Sequence, residues 1–375
     1  MDPSSSAYRI LTLTAISGEL NPDVLSHTGI SRSYREKLLT RLKEEGLLKT
    51  HYRDRLRGYR LTGKGKQLLL AENPERFRFY LTGSCETNQP RSEYPRRLRL
   101  QQASTAYAMF QRAGVEIYRD RKPMLFLPKT QNNQTAPCRM TQPAFYHSRE
   151  VKELGAEAVK INNSRSIGIL LAPECIYAVF CTGSSLMKWE YRTELKVKAL
   201  LSYHTSRGIL SSSDGGTHYH PDTPIKALMI GDGMDTALKL MESTGGFQKS
   251  YFYLDSSFDY FHYIPDDAAG ITMIRLLCSP ALQKALRNLL LSDLQPPCSD
   301  YGLEHDALWD GCPVLLAYDF DMLRISRFRT ALSLHGIMGH LICYDFQKAV
   351  LEQYFRETVS IETIDLKKFE GRFLQ

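Results

Sequence analysis

No apolar run in this chain approaches the ~20 residues that a membrane-spanning helix needs, so an integral membrane role is not expected. The first residues, MDPSSSAYRI, lack both a basic start ahead of an apolar core and a small-residue cleavage site. The expected compartment is therefore the cytoplasm. The eight cysteines (85, 138, 175, 181, 278, 298, 312, 343) contain no CxxC pair, and several sit in apolar runs such as IRLLCSP and HLICYDF. That pattern argues against a disulfide framework and against zinc, and for reduced, mostly buried thiols. A repeat of solenoid period is also absent.

Acidic residues are scarce in the front of the chain. Residues 1–130 hold 24 Lys and Arg against 13 Asp and Glu, a net of +11, whereas residues 131–375 hold 24 against 28, a net of −4. A basic front on a near-neutral body points to an anionic partner for the front, nucleic acid first. With 375 residues, 43% hydrophobic and 24% charged, the chain is of ordinary globular composition and long enough for two or three domains.

The front has a readable order. YRILTLTAIS (8–17) has helical spacing and stops at Gly18. NPDVLSHTG (21–29) reads as a short helix with Asn21 as cap, Pro22 in the first turn and Gly29 as stop. SRSYREKLLTRLKEEG (31–46) is a third helix with Tyr34, Leu38 and Leu42 along one apolar stripe. The strands LLKTHY (47–52) and YRLT (59–62) then flank the tip RDRLRG, and GKGKQLLLA begins another helix. Helix, helix, turn, helix and hairpin is the order of a winged helix-turn-helix, expected over 1–82. Arg32, Ser33, Lys37, Thr40 and Arg41 lie off the apolar stripe, where an inserted helix meets base edges and phosphates. Arg53, Arg55 and Arg57 are placed at the wing tip, within reach of the flanking backbone.

A basic linker is expected over 83–103, carrying Arg96, Arg97 and Arg99, followed by a helix at 104–114. Strands alternating with helices then predict a mixed α/β body over 104–375, with a subdivision near 205–224. Strands are read at 144–148, 166–172 and 175–182, a helix over 185–204, and a buried strand KALMIG. The tail holds a strand-helix ITMIRLLCSPALQKALRNLLL and the strand PVLLAYDFD.

Chemistry in the body is defined by what is missing. The order helix, three strands, helix, strand from 104 to 231 is that of restriction-endonuclease-like folds, which need an acid on the second strand and Glu-x-Lys on the third to hold magnesium. Neither SIGILLAP nor CIYAVFCT contains an acid, and Glu194-Leu195-Lys196 falls on the helix. Glu190, Glu194, Lys196 and Lys198 therefore read as a charged helix face. MIGDGMDTALKL and LLAYDFDMLRISRF resemble the acid-bearing strand ends of Toprim-like domains, which would group Asp232, Asp235, Asp319 and Asp321 around magnesium. The first acid is Asp where Glu is usual, and the separation of the two motifs requires an insertion. Gly231-Asp232-Gly233 lacks the third glycine of a dinucleotide fingerprint. His218 and His220 have no third metal ligand, and none of the 21 tyrosines stands out as a nucleophile. The expectation is no catalytic residue, no metal and no cofactor.

The stretch AFYHSREVKELG…NNSRSIGILLAP…GSSLMKWEYRTELKVKALL (144–201), in an α/β body behind an expected winged helix and basic linker, resembles the central region of replication-relaxation proteins of plasmids and integrative conjugative elements. The resemblance implies a DNA-binding protein serving the replication, transfer or regulation of a mobile element. It places no catalytic motif on these residues. Double-stranded DNA is the expected partner, with a homodimer and replication or transfer proteins as further candidates. The competing expectation is a metal-dependent DNA-processing enzyme using the four body aspartates.

Overall fold

The protein, described here from a computed structural model at residues 2, 5–122, 142–152, 164–206, 219, 222–298 and 304–374, is mixed α/β with three sheets among those residues. It divides into two compact units, Met1–Met124 and Leu125–Gln375.

In the first unit the Ser5 hydroxyl accepts the Tyr8 amide at 3.2 Å and starts α1 (Ser6–Ser17), which is buried on nearly every face. Gly18 ends the helix at φ +80°, and a Cβ there would stand 2.9 Å from Thr87 Cα. Backbone angle and space both demand glycine. The next segment, Pro22–Thr28, is a 3₁₀ helix rather than an α-helix, capped by the Asn21 side chain on the Asp23 amide. Then come α2 (Arg32–Glu44) and the antiparallel hairpin of β1 (Leu48–Arg53) and β2 (Leu56–Leu61), whose edge is extended by a bridge between Leu20 and Tyr59. The unit closes with α3 (Gly63–Glu72), α4 (Pro74–Leu81) and α5 (Tyr94–Ala113).

The linker expected over 83–103 is corrected by α5. Residues 94–103 are the first half of that 20-residue helix and run without a break into the helix expected at 104–114. Pro95, which reads as a breaker, sits in the first turn, where a missing N–H costs nothing.

In the second unit a five-stranded sheet runs in the order β3 (Ala144–His147), β4 (Gly168–Ala172), β5 (Cys175–Gly183), β6 (Ile225–Gly231), β7 (Phe261–Pro265). The first two pairings are antiparallel and the last two parallel. Short α6 (Ser148–Lys152) follows β3, α7 (Tyr191–Ser206) lies between β5 and β6, and α8 (Gly233–Met241) lies between β6 and β7. The helix of the nuclease-like order expected before β3, at 104–113, belongs to the first unit as the end of α5. Nor does α7 start at 185: Lys188 bridges Tyr251 in an extended pairing, with the Trp189 amide on Ser250 O at 3.0 Å and the Phe252 amide on Met187 O at 2.9 Å. Trp189 is buried there, 5.0 Å from the Phe252 ring and 5.1 Å from Phe180.

A second sheet has the order β11 (Val359–Ile364), β10 (Gly339–Tyr344), β9 (Cys312–Leu316), β8 (Ala307–Trp309). The strand-helix expected over ITMIRLLCSPALQKALRNLLL is two helices, α9 (Ala268–Leu277) and α10 (Pro280–Leu291). Asp267 caps the first, and Ser279 with Pro280 restarts the chain as the second. Helices α11 (Met322–His335), α12 (Lys348–Phe355) and α13 (Leu366–Phe373) complete the unit. Leu276, Leu286, Val314, Leu316, Tyr344 and Phe369 form a core on this second sheet.

Candidate nucleic-acid interface

Helix α2 buries Leu38, Leu39 and Leu42 and little else. Arg32, Ser33, Lys37, Thr40 and Arg41 are all exposed. Tyr34 is not part of the apolar stripe: it is 53% exposed and joins the polar face, because the buried stripe runs through 38, 39 and 42. Two of the cations are partly engaged within the helix, Arg32 with Glu36 at 3.3 Å and Arg41 with Glu45 at 2.8 Å. Both pairs are solvent-exposed and worth little, so phosphates can compete for these guanidiniums.

The hairpin is longer than its sequence suggests, and its tip is only Asp54 and Arg55. Both have positive φ, +52° and +60°, the pairing that a two-residue turn of matching twist requires. Asp tolerates that region; for Arg55 it is a local strain of order 1 kcal/mol. Arg53 and Arg55 are exposed at the tip, but Arg57 lies within β2, opposite Tyr52. Its guanidinium donates to the Tyr59 hydroxyl at 3.0 Å and lies over that ring. Tyr52, 67% exposed, extends the outer face.

Beneath the hairpin is a feature that spacing does not reveal. Glu19 is fully buried and is met by Arg97 at 2.7 Å, Arg60 at 2.7 Å and Gln101 at 2.7 Å. Arg97, also fully buried, donates in addition to the carbonyls of His51 (3.1 Å), Arg53 (2.9 Å) and Leu56 (3.0 Å). One side chain of α5 thus holds both strands of the hairpin at their tip. Burial raises the Glu19 carboxyl, but the hydrogen bonds from Arg97, Gln101 and Arg60 outweigh it, and the pKa lies below the ordinary carboxylate range. Gly58 completes the arrangement: a Cβ there would stand 2.2 Å from Glu19 Oε1, so the glycine of RDRLRG serves close approach, not the turn.

The four body aspartates are not brought together. Asp232 follows β6, which pairs along one edge of β7, while segment 319–321 pairs along the other edge through the Tyr263 amide on Phe320 O at 3.1 Å. Two strand spacings, about 10 Å, separate those edges. Asp235 lies exposed in the first turn of α8. Asp232 instead lies near Asp266, whose pKa is pushed up to about 6 by burial and then by Asp232 and Asp267. Asp321 is buried, accepts the amides of Phe261 and Leu323, and caps α11. His262 lies 3.8 Å from Asp319, and its Nε2, with Asp321 Oδ2, has no hydrogen-bond partner. Burial lowers the His262 pKa and raises that of Asp321. Among the described residues no group of three or more His, Cys, Asp or Glu is placed to hold a metal ion. His218 and His220 lie outside the described residues.

Glu194 also departs from expectation. It is buried, not part of a charged face, and accepts the Ser164 hydroxyl at 2.9 Å and the Arg165 amide at 3.3 Å. Burial pushes its pKa up to about 7 against those two hydrogen bonds.

No helix among the described residues is long and apolar enough to cross a membrane. Comparison of the chain with known protein families, with curated proteins and with solved structures finds no match.

Proposed function

We propose that the first unit is a winged helix-turn-helix that binds double-stranded DNA in a sequence-specific manner. In this reading α2 enters the major groove and the β1–β2 hairpin is the wing. The observation that carries the proposal is a separation of roles among like residues. The eight singled-out side chains are exposed on one helix and one hairpin, while the cations that fix that hairpin, Arg60 and Arg97, are turned inward and paired with Glu19. A solvated charge cluster needs no such internal bracing. The unit as a whole carries 23 Lys and Arg against 13 Asp and Glu, a net of +10, whereas the second unit carries 25 against 28, a net of −3. Phosphate attraction therefore belongs to the first unit.

The 13 residues of α2 span about 20 Å, enough to lie along a major groove ~12 Å wide with its first turns against base edges. Arg32, Ser33, Lys37 and Tyr34 would face bases, and Thr40 and Arg41 the flanking phosphates. The resemblance to replication-relaxation proteins supplies the setting, a mobile element whose replication or transfer the protein serves. The second unit would then be an assembly surface rather than a catalytic one.

The test is enrichment of bound duplexes from a random pool with the full chain, followed by affinity measurements. Arg32→Ala and Lys37→Ala should each weaken the selected duplex by about 1–3 kcal/mol while leaving the melting temperature unchanged. Selection of no consensus, or unchanged affinity in both variants, removes the groove-insertion model.

A further inference from the structure

The second unit holds a surface that the duplex-binding reading does not use. Residues 244–253 form a tight hairpin: Thr244 bridges Tyr253, the Tyr251 amide donates to Gly245 O at 3.1 Å, and the Lys249 amide donates to Gly246 O at 3.1 Å. Gly245, Gly246 and Lys249 take positive φ values of +83°, +72° and +48° to make the turn. The base is pinned by the Ser243 hydroxyl on Phe252 O and by the buried Phe252 ring against Trp189 and Phe261. From this braced base Phe247 projects with its side chain fully exposed, and Tyr251 beside it is 44% exposed. A large ring held clear of the surface by a fixed turn forgoes burial that a looser loop would recover by folding back.

The surroundings say what such a ring meets. Lys188, exposed, pairs with Tyr251 through the backbone, Lys249 Nζ lies 5.5 Å over the Tyr253 ring, and the Lys239 amine donates to Ser184 O on the neighbouring segment. Aromatic faces interleaved with amines fit an unpaired nucleic-acid strand, whose bases stack on the rings while its phosphates face the lysines. We infer that Phe247 and Tyr251 form a stacking platform for single-stranded nucleic acid on the second unit, distinct from the duplex surface of the first and independent of that reading. Exposed Glu190 and Glu242 flank the hairpin and Asp255 lies close to Tyr253, so lysines and carboxylates balance at three each. Stacking is therefore the anchor, and the salt dependence should be shallower than that of duplex binding.

The experiment uses the full chain and a short fluorescent oligothymidylate, which cannot form a duplex, read by anisotropy across a salt series. Phe247→Ala should weaken binding about tenfold, Phe247→Trp should retain it, and Tyr251→Ala should weaken it to a smaller extent. The Arg32→Ala/Lys37→Ala variant, tested in parallel, should bind the oligothymidylate as the wild type does. That arm separates the two surfaces, because loss of duplex binding in it leaves this inference standing. Unchanged oligothymidylate affinity in Phe247→Ala overturns the platform, as does loss of single-strand binding in the Arg32→Ala/Lys37→Ala variant. A Phe247→Ala change that alters the oligomeric state by light scattering without altering oligothymidylate binding also overturns it, and assigns the ring to contact between copies.

Discussion

Each unit of this protein buries a glutamate, and the two are opposite in character. Glu19 in the first unit faces two guanidiniums and an amide; Glu194 in the second faces one hydroxyl and one backbone N–H. Burial pushes both carboxyls upward, yet the first ends below the ordinary range and the second at about 7. Full compensation by charge-assisted hydrogen bonds decides the sign, not depth. A buried acid that braces a hairpin must stay ionised. One that accepts only a hydroxyl and an amide from a neighbouring segment can be neutral.

Removing that compensation should give the largest effect in the molecule. Glu19→Gln leaves Arg97 and Arg60 buried without a counter-charge, and breaking a buried pair from one side costs about 3–5 kcal/mol. Hydrogen exchange on the full chain should show peptides of β1 and β2 losing protection first, because Arg97 is then held beneath them by backbone carbonyls alone. The pH dependence follows from the lowered pKa: the stabilisation is present above the ordinary carboxylate range and is lost as pH falls through the depressed value. Normal protection of the hairpin in Glu19→Gln would mean that the carbonyl contacts of Arg97 suffice alone.

Glu194 should behave in the reverse sense, with a smaller amplitude. Its folded pKa of about 7 lies above the unfolded value near 4.5, so its contribution is intact at low pH and is lost as pH rises through that window. Glu194→Gln keeps the shape and removes the ionisation. It should therefore be more stable than the wild type above pH 7, by up to about 3 kcal/mol, and equal to it at the acid end. Thermal melts at both pH values check this, and a difference that does not change with pH would place the carboxyl in a wetter site.

What the chain reveals of itself follows the same division. The third helix and the hairpin are legible because their signals are local: a spaced apolar stripe, Gly46 after it, and short strands around a charged tip. The arginines of the hairpin are legible as a set, but Arg57 lies in the ladder instead of at the tip, since β1 runs one residue further, to Arg53, and β2 starts three residues earlier, at Leu56. Arg97 was illegible as anything but linker charge, because its partner Glu19 is 78 residues away and no periodicity links them. Glu194 was misread for a related reason. A helix begun at 185 instead of Tyr191 treats Lys188 and Trp189 as helical, when Lys188 bridges Tyr251 and the Trp189 amide donates to Ser250 O. The aspartates were found at strand ends as expected, but only three-dimensional order shows β7 standing between Asp232 and Asp319.

The smallest expected effect separates Arg57 from its neighbours at the tip. Arg53 and Arg55 are exposed at the turn, and each phosphate contact they make should add about 0.9 to the slope of log affinity against log salt. Arg57 already spends its guanidinium on the Tyr59 hydroxyl and ring, within the strand. Reaching a phosphate would require it to leave both. Salt titrations of duplex binding should therefore flatten by about one unit in Arg55→Ala and in Arg53→Ala, and by clearly less in Arg57→Ala. The Arg53 backbone carbonyl accepts from Arg97 whatever the side chain at 53, so the alanine variant there should keep the hairpin intact. Equal slopes for all three would show that Arg57 swings out on binding, and an unmoved slope in the Arg53→Ala/Arg55→Ala double variant would take the hairpin off the DNA altogether.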